Sequence, residues 1–460
     1  MKSCCYTWKQ WDDKNNEYVE KSCPEEVWHQ SRKYCIFHDP SKQKNAELFK
    51  QGISDKIAKG DFNFWGYRFH VNIEFVKQEF HDSVYFDKSA FYGIANFDEA
   101  EFQTVSFNDA RFKYASFSKT FFGDASFDRA IFQDSSFNSA VFGKAHFDGT
   151  VFKHNADFIG TEFEGEVHFD NAVFQDVSLI DATFKKTASF HSATFKKTVY
   201  FRRANFEQDA LFDKATFYNA FFGEAIFHKV SFDGVFVERD LRFSPSKVEE
   251  LNLQYSQFKF KGHITTNLSK TKLLGADLEN IVFTELEPEK ESIYEEKHMK
   301  QLNLTFENIE TIYRNLKHNM QDKGDYSRAG RFFFREMEMK RKGARNKKRY
   351  LSWIWFEIYR FLAGYGESPQ NTIAISIFSI FSCALLYLGT GCLKYTLVNP
   401  CFSQKAIDAL YFSFVTFTTL GLGDIRPLTC LGKALVCFEA MLGVFLIALF
   451  VVTFVRKMAR

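Results

Sequence analysis

Residues 95–127, ANFDEAEFQTVSFNDARFKYASFSKTFFGDASF, place a phenylalanine at every fifth position. The same register continues from Phe64 to Phe232 over 33 positions, and Leu179 alone among them is not phenylalanine. Eight of the steps between these positions are six residues long, and the others are five. Two positions before the ring there is usually a small or β-branched residue, as in Ala95, Ala100, Val105, Ala110, Ala115, Thr120 and Ala125.

A period of five fits neither regular element of secondary structure. On an α-helix, five residues advance the ring about 140° beyond one full turn, so successive rings would scatter around the axis. On a flat strand, an odd spacing would place successive rings on opposite faces. The repeat therefore predicts a solenoid in which each short unit turns a corner, and in which the ring shares an inward face with the small residue before it.

The pattern A-(D/N/S)-F-x-x resembles the pentapeptide-repeat family. The resemblance implies a right-handed quadrilateral β-helix, with four repeats in each square coil and internal ladders of phenylalanine. On that basis the 33 repeats form about eight coils, spaced about 4.8 Å apart. Weaker repeats after residue 250 extend the predicted β-helix, which we place at residues 61–286. The positions of this extension are Leu253, Phe258, Leu268, Leu273, Leu278 and Phe283.

The charge of the repeats limits what they can bind. Residues 64–232 contain 23 Asp and Glu against 17 Lys and Arg. Some pentapeptide-repeat proteins mimic DNA through a strongly acidic surface, and a mixed surface disfavours that role. Two roles stay open: a scaffold that docks an unknown cytoplasmic protein partner, and a sensor of a ligand or partner that biases the pore described next.

A second motif lies near the end of the sequence, where residues 418–424 are TTLGLGD. Glycine at every second position permits alternating left-handed backbone, which aims successive carbonyls at one axis. Such carbonyls replace the hydration shell of a cation in a selectivity filter. Because the motif stands between two apolar segments of membrane length, it predicts an ion-selectivity filter.

The two apolar segments are predicted membrane spans at residues 372–393 and 434–455. At about 1.5 Å per residue, each is long enough to cross a hydrocarbon core of about 30 Å. Basic residues precede the first span at 340–349 and follow the second at 456–460. Since such residues stay on the cytoplasmic side, we expect a multi-pass protein of the cell (inner) membrane with both termini in the cytoplasm.

The segment between the spans, residues 394–433, is too long for a simple turn. Its apolar pattern predicts a pore helix at about 404–418, capped by Ser403 and ending at the filter. Irregular backbone at membrane depth needs protein or water around it, and one such loop cannot enclose a pore. Several copies related by rotational symmetry must therefore close the pore.

Residues 370–460 resemble the pore domain of two-transmembrane potassium channels, which are homotetramers in a lipid membrane with potassium as the permeant ion. The resemblance implies ion binding at Thr419, Leu420, Gly421 and Leu422, with support from Thr418, Gly423 and Asp424. It also implies that Gly443 is the gating hinge of the second span. Leu422 replaces the tyrosine of most members, so a moderately selective cation pore is the alternative to a potassium-selective one.

One charged residue, Glu439, falls inside the second predicted span. A charge at that depth costs about 2.5–3.5 kcal/mol on insertion scales. We expect its carboxyl to be hydrogen bonded to the pore helix or to a neighbouring subunit, and a part in filter-linked gating is the alternative.

Between the repeats and the pore the sequence is charged and periodic. Residues 287–349 are a predicted cytoplasmic helical connector, with helices at 291–316 and 326–341. This segment resembles the helical hairpin that follows pentapeptide repeats in some bacterial membrane proteins. Residues 350–369 are a predicted interfacial helix, because their tryptophans and tyrosines suit a membrane surface. We expect the connector to link the rod to the pore and to help hold the subunits together.

The N-terminal segment, residues 1–60, contains four cysteines and a histidine close to one of them. Cytosolic thiols stay reduced, so a metal site is favoured over a disulfide. Cys4, Cys23, Cys35 and His38 have the composition of a closed tetrahedral zinc site, with Cys5 as an alternative to Cys4. Unliganded cysteines are the other interpretation. Near the outer membrane face, Cys392, Cys401 and Cys430 offer further thiols whose pairing the sequence does not define.

These segments add up to a multidomain membrane protein, with a β-helix, a helical connector and a two-helix pore domain. A net charge of +2 gives no support to a nucleic-acid partner. No Walker motif, GxGxxG loop or Ser/His/Asp order is present, so we do not predict an enzyme. We predict a homotetrameric, potassium-selective cation channel. The alternative is a membrane-anchored interaction scaffold with a weakly conducting or non-selective cation pore.

Overall fold

The computed structural model describes residues 2–12, 17–284, 292–394 and 401–458. The chain divides into two compact units, Met1–His298 and Met299–Arg460. The first unit opens with an antiparallel pair of strands, β1 (Thr7–Asp12) and β2 (Glu17–Ser22), followed by helix α1 (Ala46–Ala58). The side chain of Asn45 caps α1 by accepting two backbone N–H groups of its first turn.

Two parallel sheets of thirteen strands each make up the body of the first unit. In chain order the strands are β3 (Arg68–Phe69), β4 (Ile73–Glu74), β5 (Glu79–Phe80), β6 (Val84–Tyr85), β7 (Ala90–Asn96), β8 (Glu101–Ser106), β9 (Arg111–Ser116), β10 (Phe121–Ser126), β11 (Ile131–Ser136), β12 (Val141–His146), β13 (Val151–Asp157), β14 (Glu162–Phe163), β15 (Val167–His168), β16 (Val173–Ser178), β17 (Thr183–Phe184), β18 (Ala188–Ser189), β19 (Thr194–Tyr200), β20 (Asn205–Leu211), β21 (Thr216–Phe221), β22 (Ile226–Ser231), β23 (Phe236–Phe243), β24 (Lys247–Asn252), β25 (Gln257–Phe258), β26 (Lys261–Thr265), β27 (Thr271–Lys272) and β28 (Ile281–Thr284). Successive long strands alternate between the two sheets, so the chain winds as a solenoid of about 10 turns.

Each coil repeats the register of the coil before it. In β10, Phe122 is paired with Phe102 of the preceding coil and with Phe142 of the following one. That offset of 20 residues equals four repeats of five and confirms the predicted four-repeat coil. The rings stack face to face, and the centroids of Phe122 and Phe142 are 4.5 Å apart with the rings 7° from parallel. Leu179 occupies one ring position and is buried like its neighbours. The core of the solenoid is therefore a set of aromatic ladders.

Alternate corners of the coil place a residue in the left-handed region, two positions after a ring. Many of these residues are not glycine, as at Glu99 (φ 59°), Asp109 (φ 58°) and Lys119 (φ 58°). Left-handed backbone costs roughly 1–2 kcal/mol in a residue with a Cβ. The amide freed by this geometry bonds to the next coil, since the N–H of Glu99 donates to the carbonyl of Ser118 at 2.9 Å. The stacking of coils thus offsets the strain at the corners.

The weaker repeats after residue 250 continue the solenoid. Leu253, Phe258, Leu273, Leu278 and Phe283 are buried, as their register predicts. The prediction for Leu268 is wrong, because this residue is only half-buried in a short 3-10 helix, and Ile264 is buried instead. A local cap explains the difference, since the side chain of Asn267 accepts the N–H of Ser269 and turns the chain before the next coil.

A short helix, α2 (Tyr294–Lys297), packs at the C-terminal end of the solenoid. Its Glu295 is fully buried, and the carboxylate accepts the backbone N–H groups of Leu273 and Leu274, the latter at 2.9 Å. Glu295 therefore satisfies backbone groups that no further strand would pair, which protects the end of the solenoid.

The second unit is helical. Its elements are α3 (Phe306–Asp322), α4 (Tyr326–Asn346), α5 (Tyr350–Ala363), α6 (Pro369–Thr390), the short strand β29 (Leu393–Lys394), α7 (Phe402–Phe417), the short strand β30 (Arg426–Pro427) and α8 (Cys430–Met458). Helices α3 and α4 pack together as a hairpin, and β29 pairs antiparallel with β30. Helices α6 and α8 are long and apolar enough to cross a membrane, which agrees with two predicted spans.

The predicted connector helix at 291–316 is wrong in part. Tyr294–Lys297 belongs to the end of the first unit, and α3 begins only at Phe306. Thr305 sets that start with a capping box, in which its side chain and that of Asn308 each accept the backbone N–H of the other. Residues 285–291, which hold the predicted boundary between β-helix and connector, lie outside the described residues.

The C-terminal end of α8 contacts the helical hairpin. The guanidinium of Arg456 lies 4.8 Å from the ring centroid of Phe333, on α4, and 3.8 Å from the carboxylate of Glu367. Tyr365 is buried in the turn between α5 and α6, and its hydroxyl donates to Glu338 of α4 at 2.8 Å. Helices α4 and α8 are thus fastened together beside the turn at residues 364–366.

Candidate functional site

The TTLGLGD motif follows directly on helix α7, as the sequence predicts. Helix α7 begins at Phe402, after Cys401, so Ser403 lies within the helix and does not cap it. At the other end the amides of Thr419 and Leu420 donate to the carbonyls of Thr416 and Val415, both at 3.0 Å. These bonds close the helix and turn the chain into an extended segment that leads to β30.

The backbone of the motif alternates between the left-handed and right-handed sides of φ. Thr419 (φ 58°), Gly421 (φ 56°) and Gly423 (φ 78°) are left-handed, whereas Leu420 and Leu422 between them are not. Alternation of this kind turns successive carbonyls toward one side of the chain, which a row of cation-binding oxygens requires. Glycine relieves the strain at two of the three positions, and Thr419 bears it without that relief.

Helix α8 supports the motif from behind through a glycine. A Cβ built on Gly443 would lie 2.1 Å from the carbonyl oxygen of Phe417, the last residue of α7. Gly443 is also buried. Only glycine therefore lets α8 approach the end of α7 this closely, two residues before Thr419.

A second support holds the C-terminal end of the motif. The hydroxyl of Tyr411, on α7, donates to the carboxylate of Asp424 at 2.9 Å, and the same carboxylate accepts the N–H of Ile425 at 3.0 Å. Arg426 donates from Nε to the carbonyl of Gly423 at 3.1 Å. Asp424 therefore ties the end of the motif to the helix that precedes it.

The side chains of the motif find little cover within one chain. Leu420 is 64 % exposed and Leu422 is 65 % exposed. One chain therefore leaves both leucine side chains of the motif largely uncovered. Only 17 % of the apolar stretch of α8 that could span a membrane is buried, whereas the core helix of a soluble protein is mostly buried.

Glu439 is fully buried where the three helices meet. Its carboxyl is hydrogen bonded to the hydroxyl of Tyr387, on α6, at 2.7 Å and to the hydroxyl of Ser413, on α7. The expected contact with the helix that precedes the motif is present, and the bond to α6 is additional. Sequence reasoning did not name Tyr387 or Ser413, although polar residues in apolar helices at the depth of a buried acid are the natural partners to seek.

In the first unit, the structure brings Cys4, Cys23, Cys35 and His38 together in one buried cluster. The candidate ligand atoms all lie within 4.8 Å of one another. Sγ of Cys35 is 3.1 Å from Nδ1 of His38 and 3.8 Å from Sγ of Cys23, and Nδ1 of His38 is 3.7 Å from Sγ of Cys4. A tetrahedral zinc ion with Zn–S of about 2.3 Å and Zn–N of about 2.0 Å separates its ligand atoms by about 3.5–3.8 Å. The cluster therefore fits a zinc ion.

The surroundings of the cluster orient its ligands. Nε2 of His38 donates to the carbonyl of Trp65 at 2.9 Å, which leaves Nδ1 as the free lone pair that a metal needs. The backbone N–H of Cys35 donates to the sulfur of Cys4 at 3.3 Å. The hydrogen bond to Cys23 and burial raise the pKa of the Cys35 thiol to about 12. Cys5 is exposed and outside the cluster, so the structure favours Cys4 as the fourth residue.

The cluster sits against the first coil of the solenoid. The ring of Phe37, one residue before His38, stacks on Tyr67 with centroids 4.7 Å apart. Nζ of the buried Lys44 donates to the carbonyls of Phe37 and Arg68 at 3.2 and 3.1 Å. The N-terminal module therefore covers the open end of the solenoid, as α2 covers the other.

All nine cysteines are free. Of the three cysteines that the sequence places near the outer membrane face, Cys392 is buried and packs against Gly432. Cys401 and Cys430 are exposed.

Comparison with protein families agrees with both halves of this description. Residues 377–460 match the family model described as ion channel, and residues 75–235 match in four overlapping segments the model described as pentapeptide repeats. The chain therefore joins a pentapeptide-repeat β-solenoid to an ion-channel domain, and it is a membrane protein.

Two solved structures match part of the chain. HetL, a pentapeptide-repeat protein involved in heterocyst differentiation regulation in the cyanobacterium Nostoc sp., is 14 % identical, with 51 % of this chain and 96 % of HetL covered at a TM-score of 0.34. QnrB1, a plasmid-mediated fluoroquinolone resistance protein, is 14 % identical, with 52 % of this chain and 95 % of QnrB1 covered at a TM-score of 0.17. No curated protein matches the chain.

Proposed function

We propose that the protein is a homotetrameric potassium channel in the cell (inner) membrane, with both termini in the cytoplasm. In this proposal Thr419, Leu420, Gly421 and Leu422 bind potassium, which passes down its own gradient. Thr418, Gly423 and Asp424 support the filter. Each chain contributes one filter strand, and the fourfold axis brings four strands together around the ion path.

The observation that carries the proposal is the alternating backbone of the TTLGLGD segment. Left-handed φ at Thr419, Gly421 and Gly423 supports a row of carbonyls on one side of the strand. The helix dipole of α7 adds to this, because its negative end lies at the motif and favours a cation there. The exposure of Leu420 and Leu422 in the single chain supports an assembly in which other copies cover them.

A flux measurement tests the channel. Purified protein in proteoliposomes with a potassium gradient should release potassium, and Gly421→Asp should abolish the flux while the oligomer survives. A side chain at Gly421 is disfavoured by its left-handed φ of 56°, and a carboxylate there would hold the cation. Gly324→Asp is the matched control, since Gly324 is also left-handed (φ 77°) and has open space around it, but lies between α3 and α4. Flux that survives Gly421→Asp would show that the ions take another route.

Selectivity is a separate measurement. Bi-ionic reversal potentials should favour potassium over sodium, although Leu422 lacks the hydroxyl that most potassium-channel filters have at this position. Equal permeability to the two ions would instead support the moderately selective cation pore. The mass of the assembly in detergent should correspond to four chains.

The second candidate is a membrane-anchored scaffold whose pore conducts little. The long solenoid favours it, because its exposed aromatic side chains, such as Tyr92, Tyr114 and Tyr200, offer a docking surface for a cytoplasmic protein. Absence of any flux from a correctly assembled oligomer would favour the scaffold over the channel.

We also propose that Cys4, Cys23, Cys35 and His38 hold a structural zinc ion. Four buried protein ligands leave no open position for chemistry, so the ion would stabilise the N-terminal module and its packing on the first coil. Metal analysis of the full-length protein should find one zinc per chain. Cys35→Ser should lose the zinc, and Cys5→Ser, an exposed cysteine outside the cluster, should keep it. Zinc content that is nil in the unmodified protein would contradict the proposal.

A further inference from the structure

The hydroxyl of Ser413 lies between two oxygens, and it has only one proton to share. Its Oγ is 2.8 Å from the carbonyl oxygen of Ile380, on α6, and is also hydrogen bonded to Oε1 of Glu439. A carbonyl can only accept, so the serine proton serves Ile380. The bond between Ser413 and Glu439 then requires a proton from the carboxyl, which the hydroxyl accepts on a lone pair.

The other oxygen of Glu439 is consistent with this assignment. Oε2 accepts the phenol proton of Tyr387 at 2.7 Å, so it does not need a proton of its own. With a proton on Oε1, every bond has one donor and one acceptor, from Tyr387 to Glu439, from Glu439 to Ser413 and from Ser413 to Ile380. If the carboxylate were ionised, Ser413 could donate its single proton either to the carbonyl of Ile380 or to Oε1 of Glu439. The other oxygen would then face the serine oxygen with no proton between them.

Within the described part of the chain, no cation compensates a charge on Glu439. Glu439 is fully buried, and the titratable groups that face it are Tyr387 and the thiol of Cys383, both on α6. Helix α7 contributes the neutral Ser413. Among the residues that the structure describes, no Lys, Arg or His pairs with Glu439. A buried carboxylate without a cation partner is strongly disfavoured against its neutral form.

We propose that Glu439 is a neutral carboxylic acid that acts as a positioning residue for the filter. It donates to Ser413 and accepts from Tyr387, and so fastens α7 to both membrane-spanning helices without placing a negative charge beside the ion path. This role rests on the proposed function of α7 as the pore helix. The hydrogen-bond assignment itself does not depend on conduction.

Two substitutions separate a neutral acid from a required charge. The amide of Glu439→Gln can donate to Ser413 and accept from Tyr387, so it should keep the flux within about twofold of the unmodified protein. Glu439→Leu removes both bonds, so the buried hydroxyl of Tyr387 loses its acceptor and Ser413 loses its tie to α8. The flux should therefore fall about tenfold or more. Flux in Glu439→Gln that is as low as in Glu439→Leu would overturn the proposal. Lack of flux in the unmodified protein would reject the proposed channel instead.

Infrared spectroscopy reports the proton directly and without any ion flux. The difference spectrum between the unmodified protein and Glu439→Gln, at neutral pH, should contain the carbonyl stretch of a protonated carboxylic acid. The carboxylate of Asp424 accepts from two donors, Tyr411 and the N–H of Ile425, so it needs no proton of its own. The band should therefore persist in Asp424→Asn. A difference spectrum that contains only carboxylate bands would overturn the proposal.

Discussion

The solenoid and the pore domain satisfy their apolar groups in opposite ways. In the solenoid, rings such as Phe122 and Phe142 are fully buried by other coils of the same chain. In the pore domain, Leu420 and Leu422 of the TTLGLGD motif and most of α8 are exposed in the single chain. The first region is complete within one copy, whereas the second has surfaces that only lipid or further copies can cover.

The difference shows which contacts stabilise each region. Stacked coils gain from every added repeat, since each contacts only its neighbours, and the two ends are covered by the N-terminal module and by α2. The pore domain instead depends on a few contacts, among them Gly443 against Phe417 and Glu439 against Tyr387 and Ser413. We therefore expect changes in the solenoid to alter folding, and changes in the pore domain to alter conduction.

The largest expected effect comes from opening a cavity in an aromatic ladder. Phe122→Ala should lower the free energy of unfolding of the solenoid by about 3–5 kcal/mol, because the rigid ladders cannot collapse into the space. Its neighbour provides a matched control, since Phe121 is 46 % exposed and Phe121→Ala should change the stability little. Hydrogen exchange of β8, β10 and β12 in the full-length protein measures both. Equal effects of the two substitutions would contradict the ladder as the source of stability.

Replacing a buried acid, Asp87, should have a smaller effect on the free energy of unfolding and should raise it. Burial raises the pKa of Asp87 to about 6, and Ser106 is the donor to its Oδ1 at 2.6 Å. The folded state therefore keeps a proton that the unfolded state loses near pH 4, so stability falls as the pH rises from about 4 through 6. This difference between the folded-state and unfolded-state pKa of Asp87 corresponds to about 3 kcal/mol in the free energy of unfolding.

Asp87→Asn should remove this part of the pH dependence. The variant should be more stable than the unmodified protein at neutral pH, by up to about 3 kcal/mol, and gain little below pH 4, where Asp87 is protonated in both states. Thermal unfolding between pH 4 and 8 measures the difference, with the exposed Asp82→Asn as control. A gain that does not change with pH would show that the charge of Asp87 is not its cause.

The solenoid could be predicted from sequence because its period is a property of neighbouring residues. A ring at every fifth position predicts a solenoid, and the resemblance to the pentapeptide-repeat family adds the four-repeat coil. Local features such as the Asn267 cap, which displaces Leu268, do not follow from the pattern. The candidate zinc ligands could be nominated by residue type, but the choice of Cys4 over Cys5 needed the fold.

The pore domain was predictable in its elements and less so in its supports. Apolar length and the TTLGLGD motif gave both spans and α7, but the left-handed backbone of Thr419 follows from no propensity of threonine. The partners of Glu439 lie 26 and 52 residues away in sequence, on two other helices. Contacts of this kind depend on how the three helices pack, which no local pattern of the sequence encodes.

The smallest effect in free energy concerns the expected hinge, Gly443. Glycine within a helix costs about 1 kcal/mol relative to alanine, so Gly443→Ala would stabilise α8 if flexibility were the only reason for the glycine. The structure gives a second reason, since the new Cβ would lie 2.1 Å from the carbonyl oxygen of Phe417. Overpacking of this kind costs about 1–3 kcal/mol, which exceeds the gain in helix propensity. We therefore expect Gly443→Ala to destabilise the pore domain and to lower potassium flux about tenfold.

Gly389, in α6, provides the matched control, because a Cβ there would meet nothing within 4 Å. Gly389→Ala should gain the full helix propensity, raise the stability slightly and leave the flux unchanged. Thermal stability of the oligomer and flux are measured on both variants. If Gly443→Ala stabilises the oligomer as Gly389→Ala does and changes only the open probability, Gly443 is a hinge alone. If it destabilises the oligomer and reduces flux, the close approach of α8 to the end of α7 is what the glycine provides, and the filter depends on it.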